Sequence, residues 1–486
     1  MSHDAKHSVL SPQSSVLRPQ SSVLRVLLLA FLLLILSPFE CRRARGVEED
    51  PLDAEAQKNL VDYLRIDTSN PPGHETNGAY FLQTLLKREH ILAELVGSDM
   101  QRMSVYARLS SGTNEKALLL LHHIDVVPAV LTEWTKPPFG GTIDGGYIWG
   151  RGALDMKSIG IAELMAFIEL KRRNVPLKRD VIFLGVADEE MGGAKGTKWL
   201  LDTRPDLFAN VGYVLNEGGY NDTIVDRVSF WGIEVQQKLP LWIRLQSKGT
   251  GGHSAAPPDD GGTLVHLVRA VDAVSRIPTP YRITPDVERA FHAAGETRND
   301  ERGEVLRNIE NELTSPRLDH VLSSSYRALL HDTIAVTRVN GGTTINSIPA
   351  NASADIDIRL LPDAKSDDML QRVKSAAGKD AAVEVLLSSE PLPPSPIDTD
   401  LYRLLEHDFK ADEPASRVAP IVGAGASDSR FFRARGITAY GIAPFKVNYY
   451  DAGTVHANDE RIRARFFSEG VHRMRTIVSD FCARPQ

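Results

Sequence analysis

Three continuous apolar runs of strand length, Ala117 to Leu121, Val181 to Ala187 and Val211 to Leu215, each lead into side chains that can bind a metal. Apolar runs without polar alternation predict strands covered on both faces, as in a parallel sheet. Around them, amphipathic patterns predict helices over Asp53 to Leu64, Ala79 to Lys87 and Ile159 to Leu170. This alternation is the pattern of an α/β domain with a mainly parallel sheet. The first run continues into His122-His123-Ile124-Asp125-Val126-Val127-Pro128, the second into Asp188-Glu189-Glu190, and the third into Asn216-Glu217-Gly218-Gly219. Open α/β folds place their sites at the carboxyl ends of such strands. One polar ending is ordinary; three on neighbouring strands predict convergence.

Near residue 238 the pattern changes, because Leu241 to Leu245 and later Ile356, Ile358 and Leu360 alternate apolar with polar, as half-buried strands do. The order there reads strand (Pro240 to Ser247), helix (Thr263 to Ser275), strand (Thr333 to Asn340), strand (Ser353 to Leu361), helix (Asp367 to Ala377), strand (Ala382 to Leu387). That is a βαββαβ, ferredoxin-like sandwich. The polar, helix-compatible stretch from about 280 to 330 reads as an insertion within it, and Pro391 to Pro396 as a stiff linker. The chain of 486 residues exceeds what one core usually supports. It divides into a leader (1–50), a first part of the large domain (51–237), an inserted small domain (238–390) and a second part of the large domain (391–486).

A net charge of -7 with no long Lys/Arg run excludes a nucleic-acid grip and favours a small-molecule or peptide substrate. Cys41 and Cys482 are the two cysteines, so a disulfide framework and a cysteine metal site are excluded. Any metal is held by His, Asp and Glu. Arg18 and Arg25 precede the apolar run Val26 to Leu36, which Ser37-Pro38 ends. Eleven apolar residues suit a signal peptide and are short for a membrane span. Export to a periplasm or the exterior is the expectation, with an uncleaved N-terminal anchor as the alternative and the sole membrane attachment. Asn221-Asp222-Thr223 and Asn351-Ala352-Ser353 are glycosylation sequons in a eukaryotic secretory pathway.

Residues two apart on an extended segment point the same way, so Asp125 can orient His123 as an outer carboxylate. Gly150-Arg151-Gly152 delivers Asp155 to a helix entrance, a place where an Asp often serves only as a cap. Adjacent Glu189 and Glu190 after a buried strand repel each other unless a cation or a shared proton relieves them. One can then bind the ion while the other acts on water as a general base.

In order and spacing, His123 to Pro128, Gly150 to Lys157, Asp188-Glu189-Glu190 and Asn216-Glu217-Gly218 resemble the aminoacylase/carboxypeptidase family of di-zinc metallopeptidases. The resemblance covers about 55 to 480, including Gly249 to Pro257 and Asn346-Ser347-Ile348-Pro349. Pro391 to Pro396 and Ala426 to Phe432 resemble most the carboxypeptidase S and N-fatty-acyl-amino-acid hydrolase branch. The resemblance implies two zinc ions, one bound by His123 and Glu217, the other by Glu190 and His456, with Asp155 bridging and Glu189 as the base. Cobalt or manganese are possible substitutes. Two departures stand out: His122 occupies a position where the family commonly has Gly, so it could crowd the site, and Asn216 one where Asp often precedes the ligand Glu.

The same resemblance implies that the small domain is a dimerisation (lid) domain. Its His253 would reach the active site of a partner subunit to hold the oxyanion, with Asn346 as a second polar contact. Arg430 matches the position that pairs with the substrate's carboxylate, for which a guanidinium fork is suited. The implied activity is hydrolysis of an amide bond beside a free carboxylate, in a dipeptide, a peptide C-terminus or an N-acyl amino acid, by a homodimer. A non-catalytic binding or structural protein that keeps the fold is the alternative, and amide synthesis by the same site differs only in direction.

Overall fold

The computed structural model describes residues 50–484. The leader reading, with Val26 to Leu36 and Cys41, lies outside them. Among the described residues no helix is long and apolar enough to cross a membrane.

The chain begins with helices α1 (Pro51–Leu64) and α2 (Glu75–Arg88), then strands β1 (Ala93–Gly97), β2 (Met103–Leu109) and β3 (Ala117–His123). Helix α3 (Lys157–Arg172) precedes β4 (Val181–Val186), β5 (Val211–Asn216), β6 (Tyr220–Ile224) and β7 (Arg227–Gln237). The next elements are β8 (Leu239–Lys248), α4 (Gly262–Ser275), β9 (Thr333–Gly341), β10 (Asn351–Leu360), α5 (Ser366–Ala377) and β11 (Ala382–Ser388). The chain closes with α6 (Asp400–Asp412), β12 (Arg417–Gly423), β13 (Thr438–Gly441) and α7 (Ala464–Cys482).

The large sheet runs β1-β2-β4-β3-β5-β13-β7-β12, with β6 beside β7. Its centre, β4-β3-β5-β13, is parallel, while β1 and β2 add an antiparallel edge. Every residue of β3 and β4 is buried, as two covered faces require. Leu118 and Leu120 point into a core shared with α1, α2, α3 and α7, while Leu119 and Leu121 point to the other face, against Leu200, Phe208 and Phe432. Each such leucine contributes about 1.5–3 kcal/mol of burial. The period of two also decides the direction of the adjacent histidines. His122 follows Leu118 and Leu120 into the helix-covered core beside Tyr63 and Phe183, away from the strand-end cluster. It does not crowd the site: Gly160 and Gly185 make room, since a Cβ on either would lie 2.4 Å and 3.0 Å from the imidazole.

The chain passes from β7 of the large sheet to β8 of a second, antiparallel sheet of order β9-β10-β8-β11. Helices α4 and α5 cover one face of it, where Leu241, Ile243, Leu245, Ile356 and Ile358 meet Leu267 and Val373. The alternate residues form a polar face, on which Asp355 pairs with Arg244 and Arg338. By Ser395 the chain is back at the large sheet, where this residue donates its N–H to the Val235 carbonyl at 2.9 Å. The helical stretch between α4 and β9 belongs elsewhere than expected. Its first helix, Pro285–Glu296, has an apolar stripe of Val287, Ala290, Phe291 and Ala294, which packs with Phe230 of β7 and Ala419 and Ile421 of β12. It is thus a cover for the edge of the large sheet, not an insertion packed within the small sandwich. The Asn221 sequon is also closed in the fold: its amide is buried, donates to the Phe445 carbonyl at 2.7 Å and accepts from Thr223.

Candidate metal centre

His123 ends β3, Glu190 lies in the turn after β4, and Glu217 follows β5, so the parallel order brings all three to one edge. Asp155 and His456 arrive on loops. The Asp155 carboxylate divides between two imidazoles, with Oδ1 at 3.0 Å from His123 Nε2 and Oδ2 at 3.2 Å from His456 Nε2. Glu217 Oε1 lies 3.8 Å from His123 Nε2, and Glu190 Oε2 lies 3.3 Å from His456 Nε2. Two donor sets therefore share one carboxylate: His123, Asp155 and Glu217, and Asp155, Glu190 and His456.

The surroundings of each donor have a mechanical origin. His123 Nδ1 donates to the backbone carbonyl of Asp125 at 2.8 Å, while the Asp125 carboxylate is 3.7 Å away. A carbonyl can only accept, so Nδ1 carries a proton and Nε2 is the nitrogen that faces Asp155 and Glu217. Burial works against a charge on the ring, but Glu217 and Asp155 raise it well above the usual imidazole value, so that Nε2–H donates to Asp155 until a cation takes the proton's place. The expectation that the Asp125 side chain orients His123 is thereby modified: its main chain does. The buried Asp125 carboxylate instead accepts the N–H groups of Glu189 (3.2 Å) and Glu190 (3.1 Å) and the Asn70 amide (2.9 Å). It fixes the turn that carries both glutamates. Behind that turn, Arg102 bridges Asp188 at 2.7 Å and Glu75 at 3.0 Å.

The Asp155 loop is held by a residue that sequence reasoning missed. Buried Glu460 accepts from the N–H groups of Gly152, Leu154 and Asp155 at 3.1, 2.7 and 3.0 Å, and from Arg151 at 2.7 Å. Gly152, at φ 92°, adopts a backbone shape that side chains resist. His456 sits in a loop tied to the opposite rim by Asp459, which accepts from the Thr135 N–H at 2.8 Å and its hydroxyl at 3.0 Å.

The donor set fits a pair of divalent cations. Glu190 Oε1 is buried without a hydrogen-bond partner. Burial and the charges of Asp155, Glu189 and Glu190 push the Glu217 carboxyl well above its usual range. Burial also raises the Glu189 carboxyl, against the pull of His123 and with the push of Asp428 and Glu190. Asp155 shows the converse: despite burial, hydrogen bonds from His123 and His456 hold it below the usual carboxylate range. His456 is drawn up to about 11, with burial opposing Asp155 and Glu190. Such mutual perturbation is what cations relieve, and imidazole with carboxylate suits zinc, cobalt or manganese.

Asn216 turns aside, donating its amide to the Ser429 hydroxyl at 3.1 Å. Arg430 is buried nearby and donates to the carbonyls of Ser427 (3.1 Å) and Gly192 (2.9 Å), which leaves three of its five N–H groups. His253 and Asn346 are not brought to the cluster. They lie on an exposed ribbon in which Gly252–His253 pairs with Ser347–Ile348, and the His253 ring only accepts the Ala255 N–H at 3.0 Å.

The sequence matches the model of peptidase family M20/M25/M40 over residues 119–480. It is 34% identical over 365 residues to the N-fatty-acyl-amino acid synthase/hydrolase PM20D1 of Xenopus tropicalis, covering 71% of this chain and 68% of the relative. Aminoacylase-1A of Rattus norvegicus is 29% identical over 432 residues, covering 87% and 94%. The M20 family metallo-carboxypeptidase Sso-CP2 of Sulfolobus solfataricus superposes with a TM-score of 0.69 at 21% identity, over 87% of this chain and 98% of its own, a likeness of fold.

Proposed function

The chain belongs to peptidase family M20/M25/M40, an amide-bond hydrolase of metallopeptidase type, and from that premise we propose that it cleaves an amide beside a free carboxylate. N-acyl amino acids and dipeptides are the substrate classes, in keeping with the names of the relatives it resembles. His123 and Glu217 would hold one zinc ion and Glu190 and His456 the other, with Asp155 as a donor to both. The observation that carries this reading is Asp155, whose two oxygens each face a different imidazole.

Two divalent cations there would acidify a water and polarise the amide carbonyl. Glu189 takes a proton from the attacking water and returns it to the leaving nitrogen as the C–N bond breaks. Asp125 keeps Glu189 in place through the turn's N–H groups. The three unspent N–H groups of Arg430 bind the substrate's carboxylate. His253 of a second copy and Asn346 beside it supply donors to the oxyanion, in a homodimer formed through the small sheets. Their exposure, away from this chain's own cluster, supports a role between copies. Export is proposed on the Val26 to Leu36 run alone. Synthesis of the same amide is the reverse reaction, set by concentrations.

Metal analysis of the purified protein, followed by chelation and zinc addition with N-acyl amino acids and dipeptides as substrates, tests the reading. Up to two metals per chain and activity that returns with zinc are expected. Full activity in metal-free protein would overturn it.

A further inference from the structure

A cavity of about 380 Å³ opens beside the turn that carries Glu189 and Glu190. It is within the roughly 300–1,000 Å³ of small-molecule sites. One wall is Gly192 and Phe431 from the large sheet's edge, and the other is Leu239, Pro240, Leu387 and Leu392 from the crossings to and from the small sheet. Gly192 follows Glu190 by two residues, and a Cβ on it would lie 3.3 Å from Leu387, so the two walls meet there.

Four of the polar side chains of the lining, Lys198, Gln236, Gln237 and Arg433, are already paired within the protein. Arg433 pairs with Glu234 at 3.1 Å and donates to Gln237 Oε1 at 3.3 Å, while Gln237 Nε2 donates to the Ser427 carbonyl at 3.1 Å. Gln236 donates to the Leu392 carbonyl at 2.8 Å, and Lys198 pairs with Asp202 at 2.5 Å. What remains for a ligand is the apolar carbon of the two walls, the unspent N–H groups of Arg430 at one side, and Ser388, Ser389 and Glu390 where the chain leaves the small sheet.

That arrangement decides which part of a substrate fits. A carboxylate on Arg430 puts the α-carbon next to the cavity, while the amide carbonyl lies toward the metal donors and the acyl group beyond it. We propose that this cavity between Gly192, Leu387 and Phe431 takes the side chain of the amino acid released by hydrolysis, and that this side chain is bulky and apolar. The inference rests on the reading of Arg430 given above. Both walls are needed, so the selectivity depends on the small sheet's crossings as well as on the catalytic edge.

The test uses zinc-loaded full chain carrying Glu189→Gln, so that ligands survive, and measures binding of N-acetyl-L-phenylalanine and N-acetylglycine by calorimetry. The phenylalanine compound should bind on the order of tenfold or more tightly, the scale of burying an apolar side chain. Adding Ala194→Trp, which narrows the exposed side of the cavity, or Leu387→Gln, which makes a wall polar, should each reduce that ratio toward one. The two variants alter different walls, so misfolding of one leaves the other decisive. Equal binding of both compounds, or a ratio kept in a folded variant, overturns the proposal. Failure of the function reading shows separately, as absence of zinc-dependent turnover in the protein with Glu189 intact.

Discussion

Glu189 and Glu190 are neighbours in sequence, yet their contacts separate their tasks. Glu190 reaches His456 at 3.3 Å in the donor cluster, while Glu189 lies in the field of His123, Asp428 and Arg430. If Glu189 is the base, as proposed, Glu189→Gln is expected to keep the metal content of the native protein and to lose roughly 10²–10⁴-fold in turnover or more, since it touches no member of the two donor sets. Metal content measured alongside kcat checks this, and an active variant would move the base elsewhere. At this scale much was legible. His and carboxylate endings on three apolar runs announce a metal edge, because few other ligands are available in a chain with two cysteines. The partner of His123 was less legible: the nearest acceptor is a backbone carbonyl, which no residue type signals.

Among the elements, strands and crossover helices were readable because buried parallel strands and amphipathic helices have distinct periods. The β1–β2 edge was not read, as its two short strands of mixed burial lack either pattern. The glycine turn that presents Asp155 at a helix entrance was readable, but its clamp was not, since Glu460 lies 308 residues from Gly152 in sequence. Glu460→Gln keeps the size but replaces two acceptor oxygens with one, so a backbone N–H of Gly152, Leu154 or Asp155 loses its partner. The variant is expected to bind zinc about 10–100-fold more weakly, as loss of a supporting contact does. A competition titration with a chelator measures it, and unchanged affinity would leave Glu460 only a folding role. In the small sandwich, His266 bonds Asp380 at 2.5 Å and Asp260 at 3.1 Å, joining the start of α4 to the end of the α5 turn. The hydrogen bond to Asp380, then that to Asp260, raises the imidazole above its usual value. Protons are bound more tightly in the fold, so the stabilisation is full below pH ~6.5 and is lost as pH rises through the raised value. Hydrogen-exchange protection over 259–262, that is, the intrinsic base-catalysed rate at each pH divided by the observed rate, should fall across that window in the native protein and stay nearly flat in His266→Gln. A flat native profile would refute the coupling.

For the whole molecule, the question is whether the exposed ribbon that carries His253 and Asn346 meets a second copy. Strand β9 forms one end of the small sheet, so its outer backbone groups have no strand partner within that sheet. Val339 on it is 60% exposed, and Val268 on the neighbouring helix α4 is 65% exposed. Gly341 at the strand's end lies against Leu264 of α4, so strand and helix offer one continuous face. An apolar, unpaired edge of this kind is a ready surface for a second copy. If that copy's His253 serves this chain's metal edge, His253→Ala and Glu189→Gln should each abolish most activity alone, yet complement each other. In a mixed dimer, the chain with Glu189 intact receives His253 from its partner, so one of the two sites regains both groups. Equimolar mixing with free exchange should restore roughly a quarter of native activity, because half the dimers are mixed and each has one whole site. The base and the oxyanion donor act on the same tetrahedral carbon, so recovery requires that they come from different chains. Analytical ultracentrifugation and labelled-subunit exchange establish that mixing occurred. Exchange without recovery would put His253 at work within its own chain, or leave it only a turn residue accepting the Ala255 N–H.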